Sequence, residues 1–339
     1  MSTFSITRTM PESATAAALR ADVRAGLTQT SKSLPPKWFY DRRGSELFAQ
    51  ITEVPEYYPS RAEQELLAAR AGDIAAATRA RTLVELGSGS MSHKTRCLLD
   101  ALPGLHTYIP VDVSESALRK TASALADERP ALSVHALIAD FTERLALPAS
   151  PGPRLVALLG STIGNLLPFE RAAFYTAVRS LLEPGDAFLL GADLVKDESV
   201  LVAAYDDPAG VSAAFNKNVL SVLNRELDAD FDLDAFDHVA LWDAQREWIE
   251  MRLRSRTEQT VKIPALDLLV HFGQGEDLLT EISAKFRLRT LAGELHSAGL
   301  ELTRWFTNPR ALVGMALTTA APGTPPRIHP AGRTTACVR

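Results

Sequence analysis

From about residue 60 to residue 195, short apolar runs alternate with amphipathic stretches. RAEQELLAARAGDIAAA is helical in composition, and the apolar run TLVEL (82–86) behind it reads as a buried strand. HKTRCLLDAL opens another helix, and YIPVDV (108–113) is a second strand. ESALRKTASALADERP places Leu118, Ala122 and Leu125 on one helical face before Pro130 stops it. SVHALIADF (133–141) predicts a third strand, and RLVALLGSTIGNL (154–166) a fourth that runs into a loop. An amphipathic helix in FERAAFYTAVRSLLEPGD ends at Pro184-Gly185, and AFLLGADL (187–194) is the fifth strand. Apolar strands separated by helices predict an α/β fold with a doubly wound parallel sheet.

The period changes after residue 195. In REWIEMRLRSRTEQTVKI, Ile249, Met251 and Leu253 share one face, with Glu250, Arg252 and Arg254 on the other. In LLTEISAKF, Thr280, Ile282, Ala284 and Phe286 face one way and Glu281, Ser283 and Lys285 the other. Two alternating strands among polar stretches predict an antiparallel α+β lobe inserted near the edge of the parallel sheet. The first 60 residues lack βαβ character and are expected to join it. The expected division is therefore a lobe of 1–60 and 196–286, a parallel-sheet domain of 61–195 and 287–319, and a Pro-rich disordered tail at 320–339. Ligands of open α/β sheets sit beyond the carboxyl ends of the strands, so such a lobe would cap the site.

Composition narrows the classes. Of 339 residues, 46% are hydrophobic and 23% charged, which is ordinary for a globular chain long enough for two domains. A net charge of -5, without clustered Lys and Arg, argues against a nucleic-acid surface. No stretch has the roughly 18 uninterrupted apolar residues of a membrane helix, and the N-terminus carries no secretory apolar core. Cys97 and Cys337 alone make neither a disulfide framework nor a zinc site, and the seven histidines show no ligand spacing. A cytoplasmic, monomeric enzyme without a metal is the expectation. DADFDLDAFD (228–237) lacks the central Gly and final Glu of a calcium loop and reads as a solvated acidic loop.

The chemistry begins at LVELGSGSMSHKT. Gly87 and Gly89 allow a tight turn and the close approach of a ligand. A dinucleotide fingerprint needs a third Gly where Ser92 stands, and a Walker A loop needs a Gly before Lys94. A ligand without a pyrophosphate, such as S-adenosylmethionine, suits this turn better. Asp112, ending the second strand, can accept both ribose hydroxyls, or can simply cap the following helix. Asp140, ending the third, can accept an adenine amino group beside the Phe141 ring, or can be a solvated loop residue.

SLPPKWFYD, VPEYYPS, LVELGSGS, GSTIGNL, GADLVKD, AYDDPAGVSAAFNKNVL, NRELDADFDLDAFDHVA and TEISAKF together resemble the histidine Nα-methyltransferases of ergothioneine biosynthesis, over roughly residues 10 to 318. The resemblance implies a class I methyltransferase (Rossmann-like) domain, S-adenosylmethionine as methyl donor, and trimethylation of the α-amine of L-histidine to hercynine. It implies cofactor contacts at Gly87, Lys94, Asp112, Asp140 and Phe141. One departure is that four residues stand between GSG and Lys94, where the family has three. On the substrate side it implies that Asn165 and Tyr205 hold the amino-acid backbone, that Tyr57 lines the pocket, and that Met251 forms an apolar wall. It also implies that Tyr40 and Phe48 lie at the amine end.

Glu281 and Ser283, two apart on one strand face, can accept from one imidazole nitrogen and bond the other. Alternating Glu, Ser and Lys is equally the pattern of a half-exposed strand. No side chain stands out as a general base. Three rival readings stay open from the residues: a nicotinamide oxidoreductase, a non-catalytic sensor of adenosylmethionine or an amino acid, and a methyltransferase for another amino acid.

Overall fold

The computed structural model describes residues 4–9, 11–89, 93–143 and 145–321. The expected tail, with Cys337, lies beyond them apart from Ala320 and Ala321, as do Ser90, Met91 and Ser92 of the extended glycine turn. The chain begins with β1 (Phe4–Arg8), α1 (Glu12–Leu27), α2 (Arg42–Glu53) and α3 (Tyr58–Thr78). The alternating core follows: β2 (Thr82–Leu86), α4 (His93–Ala101), β3 (Thr107–Asp112), α5 (Glu115–Glu128), β4 (Ser133–Ile138), β5 (Arg154–Leu158), α6 (Pro168–Leu181) and β6 (Ala187–Asp193). Next come α7 (Glu198–Tyr205), α8 (Val211–Leu227), β7 (Phe236–Asp243), β8 (Trp248–Ser255), β9 (Gln259–Ile263), β10 (Leu268–Phe272) and β11 (Asp277–Ala284). The chain closes with α9 (Leu288–Ser297), β12 (Leu300–Thr307) and β13 (Val313–Ala320).

The main sheet has the order β1-β4-β3-β2-β5-β6-β13-β12, with all strands running in one direction except β13, which pairs antiparallel with both β6 and β12. This is the doubly wound α/β arrangement the periodicity predicts. β2 and β6 are buried at every position because helices cover both faces, which explains their unbroken apolar runs. The exception in β2 is Glu85. It is buried, accepts hydrogen bonds from Thr95 Oγ1 (3.0 Å) and Tyr108 OH (2.6 Å), and has its carboxyl pushed up by burial. Those bonds tie the start of α4 to β2 and β3 and so fix the exit of the glycine turn. The strand order reverses between β2 and β5, the place where open α/β sheets bind ligands.

Two expectations need revision. The first 60 residues do not all join the antiparallel elements: β1 pairs with β4 in parallel, from Phe4↔Val134 to Arg8↔Ile138. A short strand with a single half-buried apolar position, Ile6, gives little periodic signal, but it covers backbone groups that β4 would otherwise leave unpaired at the sheet edge. From α1 onward the segment contacts residues of the 196–286 stretch, as where Arg20 donates to Ala265 O (2.6 Å). Asp41 caps α2 through Gly44 N–H (2.7 Å) and accepts from Asn218 (2.9 Å) and Arg225 (2.8 Å) of α8.

The second revision is in residues 196–286, where two strands were legible and five form. β11, β8 and β7 make an antiparallel sheet, and β9 and β10 a hairpin. A bulge between Leu279 and Glu281 breaks the alternation. Leu278 therefore packs with Met251 and Tyr205, while Ile282 and Ala284 pack on the opposite side with Trp248 and Phe286. Thr280 is not on the Ile282 face as a partner in packing. It is buried and donates to Asn216 Oδ1 (2.6 Å) and Met251 O (2.9 Å). The acidic 228–237 stretch is anchored by Phe231 and Phe236, which are buried against Phe272 at ring distances of 6.2 and 5.3 Å.

Candidate active site

The glycine turn follows β2 with φ of +65° at Gly87 and +52° at Gly89. A Cβ on Gly87 would lie 3.1 Å from the Phe141 ring, so glycine is required there by conformation and by space. Gly89 N–H donates to Asp112 Oδ2 and Ser114 N–H to Oδ1, both at 2.8 Å. Burial lifts the Asp112 carboxyl above its usual range, against these backbone donors. Phe141 is half-buried and meets Phe174 edge-on at 6.2 Å. Asp140 accepts from Thr142 N–H (2.9 Å) and Thr142 Oγ1 (2.5 Å), closing its own turn. The structure thus brings Gly87, Asp112 and Phe141 to the carboxyl ends of neighbouring strands, with Asp140 beside them.

Lys94 points elsewhere than at these residues. Its Nζ donates to Glu63 Oε2 of α3 at 2.6 Å, and the Glu63 carboxylate also takes Gly160 N–H at 2.8–2.9 Å. The bond joins the glycine turn to the 160–165 loop after β5. In that loop Gly160 (φ +81°) and Ser161 (φ +57°) both adopt left-handed backbone. The following 3₁₀ turn, 162–165, presses on β11 so closely that a Cβ on Gly164 would be 2.7 Å from Ala284 O. That approach delivers Asn165. Its amide donates to Glu281 and to Ile282 O (2.9 Å).

Glu281 is opposite Met251 across the β11–β8 pair, and Ser283 opposite Ile249, so all four share a face. Burial pushes the Glu281 carboxyl up to about 7, although the Asn165 hydrogen bond and the Lys285 charge pull the other way. Ser283 Oγ is 2.8 Å from Tyr205 OH. Tyr57 meets Tyr205 edge-on at 6.2 Å and Phe48 at 6.2 Å, and Phe48 meets Tyr40 at 5.6 Å. These rings run from the buried Tyr205–Ser283 pair toward Tyr40, which is 45% exposed. Burial, Tyr205 and Glu281 together raise the Tyr57 phenol well above its usual range.

Behind this face lies a network that sequence reasoning missed. Backbone bonds from Phe286 N–H to Asp193 O (2.8 Å) and from Val195 N–H to Phe286 O (3.1 Å) fasten the end of β11 to the end of β6. Lys285 Nζ then lies 2.8 Å from Tyr205 OH, 2.8 Å from Ser283 Oγ and 3.0 Å from Asp193 Oδ2, with both charged side chains fully buried. Asp193 also accepts from Tyr58 OH (2.8 Å) and Lys196 Nζ (2.6 Å). Burial would raise the Asp193 carboxyl, but Lys285 and Lys196 hold it below its usual range. Burial draws the Lys196 ammonium down to about 8 against the pull of Asp193. The one available signal was position: Asp193 ends the fifth strand, where a buried carboxylate meets the ligand edge of the sheet.

Strand-end carboxylates and backbone amides at the glycine turn are thus linked, through Lys94, Glu63 and the 160–165 loop, to a buried patch of carboxylate, amide and hydroxyls. The family of histidine-specific, S-adenosylmethionine-dependent methyltransferases matches residues 19–320. The chain belongs to that family. It is 54% identical over 318 residues to the histidine N-alpha-methyltransferase of Mycolicibacterium smegmatis, covering 93% of this chain and 99% of that one. The Mycobacterium tuberculosis protein of the same name is 54% identical over 316 residues, 92% and 98% covered. The N-methyltransferase fsqC of Aspergillus fumigatus is 28% identical over 319 residues, 91% and 85% covered. The fold is that of a class I methyltransferase, a parallel sheet with an antiparallel seventh position. Among the described residues no helix is long and apolar enough to cross a membrane, and no group of three His, Cys, Asp or Glu is placed to hold a metal ion.

Proposed function

We propose that this protein transfers methyl groups from S-adenosylmethionine to the α-amine of L-histidine, three times, to give hercynine. The observation that carries the substrate is the shared face of Glu281 and Ser283, closed over by Asn165 and Tyr205. An apolar side chain would leave the remaining hydrogen-bonding capacity of the Glu281 carboxylate and the Ser283 hydroxyl without a partner, which a buried polar site penalises. One imidazole nitrogen would donate to Glu281 and the other would face Ser283.

The residues after β2, β3 and β4 fit the cofactor. Gly87 and Gly89 leave backbone room, Asp112 offers a carboxylate for ribose hydroxyls, and Phe141 offers an apolar wall with Asp140 at its edge for adenine. The sequence of the turn has Ser92 where a dinucleotide fingerprint needs its third Gly, which disfavours a nicotinamide dinucleotide. Lys94 would hold the cofactor's carboxylate end, in competition with Glu63. The bound cofactor supplies an electrophilic methyl on a sulfonium with a good leaving group.

The chain's own contribution is position. Both amide hydrogens of Asn165 are taken by Glu281 and Ile282 O, so its carbonyl is the group left to accept an amine N–H and aim the nitrogen lone pair. Holding amine and methyl in line is worth several kcal/mol of barrier, at roughly 3 Å separation. Tyr57, Phe48 and Tyr40 would place ring faces near an amine that becomes a fixed cation. Met251 beside Glu281 would close the apolar wall.

Mass spectrometry of the protein incubated with S-adenosylmethionine and histidine, with tryptophan and tyrosine in parallel, tests the reading. Trimethylhistidine is the expected product. Methylation of tryptophan or tyrosine instead would replace histidine as the substrate, and binding of cofactor without any turnover would favour the sensor.

A further inference from the structure

We propose that Lys285 is a positioning residue that makes the Tyr205–Ser283 hydroxyl pair a one-way hydrogen-bond donor, so that the pocket takes the imidazole with one bare nitrogen. The inference rests on the histidine reading above and adds to it the ring's protonation state and the residue that selects it.

The protons of Lys285 and its neighbours set the direction of the network. A lysine ammonium has three donors and no acceptor. Lys285 is enclosed, and its three neighbours within reach are Asp193 Oδ2, Tyr205 OH and Ser283 Oγ. All three N–H groups are thereby used, and both hydroxyl oxygens receive one. The hydroxyls are themselves 2.8 Å apart, so one proton lies between them. Two hydroxyl protons are available, and the second must leave the triangle. Either hydroxyl can donate across the shared edge; in the arrangement proposed Tyr205 does, so that Ser283 Oγ accepts from both Lys285 and Tyr205 and its two lone pairs are filled. Its own proton is then the exit, and it can only be given to an acceptor.

Ser283 and Glu281 lie two residues apart on one strand face, a separation of about 6.6 Å along the chain. Two hydrogen bonds of about 2.9 Å with a five-membered ring between them span roughly 8 Å, which the longer Glu281 side chain can open from that spacing. Glu281 takes an N–H and Ser283 gives an O–H, so the matching ring has one protonated and one bare nitrogen. An imidazolium would bring a second N–H against the Ser283 proton, within reach of the Lys285 charge. Asp193 keeps Lys285 in place, and Lys196 and Tyr58 keep Asp193 in place.

The test uses ¹⁵N-labelled histidine bound to the wild-type protein with S-adenosylhomocysteine. The nitrogen spectrum at pH 7 is expected to show one protonated and one bare ring nitrogen; two protonated nitrogens overturn the proposal. Lys285→Met is the companion variant, since Lys196 and Tyr58 still satisfy Asp193 in it. Affinities for histidine are compared with those for the two pyrrolylalanines, each of which replaces one ring nitrogen by C–H. Wild-type protein is expected to prefer histidine over the isomer that keeps the Glu281-facing N–H, and Lys285→Met to lose about tenfold of that preference. An unchanged preference, with cofactor affinity intact, removes Lys285 from the role. Should the variant fail to bind cofactor, the wild-type spectrum still decides. Wild-type protein that binds no histidine sinks the functional reading instead, and is recognised before either arm is run.

Discussion

The two halves of the site are built by different physics. On the glycine side, backbone amides and single carboxylates at strand ends make the pocket, and each residue follows its own strand within a few positions. On the β11 side, Glu281, Ser283 and Lys285 act only with Asn165, Tyr205, Asp193 and Lys196, which arrive from 78 to 116 positions away in the cases of Ser283–Tyr205 and Asn165–Glu281. The first half follows from the fold and is tolerant of what surrounds it. The second is an interdependent set of buried charges and hydroxyls, so it should fail as a unit.

The strongest way to break that contrast is Asp193→Asn. It leaves two cations in the protein interior with no carboxylate, and removing one partner of a buried pair costs about 3–5 kcal/mol. A large fall in melting temperature is expected, with histidine binding lost at temperatures where the variant remains folded. Thermal denaturation beside a surface control such as Glu226→Gln measures it. An Asp193→Asn melting temperature equal to the control's would mean that the network is not interdependent. Next in size is Glu281→Ala. Loss of a hydrogen bond to a charged group predicts about 2–3 kcal/mol of histidine affinity, with S-adenosylhomocysteine affinity unmoved. Isothermal titration of each ligand separates the two, and equal losses for both ligands would erase the division between the halves.

Legibility in the sequence followed the same division. The parallel core was readable because burial on both faces leaves continuous apolar runs, and the placement of Asp112 and Phe141 at strand ends was readable because those runs fix where the strands stop. Lys285 was not readable. A strand running Glu–Ser–Lys against apolar neighbours looks the same whether water or Asp193 lies across from it, and Asp193 is ninety-odd positions distant. The bulge at Leu279–Glu281 is one residue of extra chain with no glycine to mark it, yet it decides which side Leu278 packs on. β1 escaped because an edge strand needs few apolar residues. The alternation of Glu281, Ser283 and Lys285 by itself favoured a solvent face, and only the resemblance to a known family pointed the other way; the contacts of Glu281 with Asn165 and of Ser283 with Tyr205 show a buried face instead.

On the glycine side, Gly87→Ala tests whether backbone geometry governs. A left-handed conformation costs a non-glycine residue about 1–2 kcal/mol, and the new methyl would press on Phe141. Cofactor affinity is expected to fall roughly thirtyfold, and histidine binding measured without cofactor should change little. An alanine variant with native cofactor affinity, measured by fluorescence or calorimetric titration, would show that the turn relaxes freely.

The smallest effect asks whether Glu281 meets the ligand as a carboxylate. Burial raises its carboxyl to about 7, above the usual carboxylate range. In the unliganded protein the neutral acid is favoured, so raising pH from the ordinary carboxylate value through 7 removes stability that burial had tied to the proton. For ligand binding the sign is opposite. A protonated Glu281 offers an O–H where the imidazole N–H needs an acceptor, so histidine affinity should rise as pH increases from 6 to 8, by about tenfold from this group. Ring deprotonation of free histidine acts in the same direction but is centred lower, near about 6.5. Glu281→Gln separates them, because the amide cannot titrate. In that variant the component centred near 7 should vanish while the lower one remains. A Glu281→Gln profile identical in shape to the wild type's would assign the whole dependence to the substrate and leave Glu281 ionised throughout.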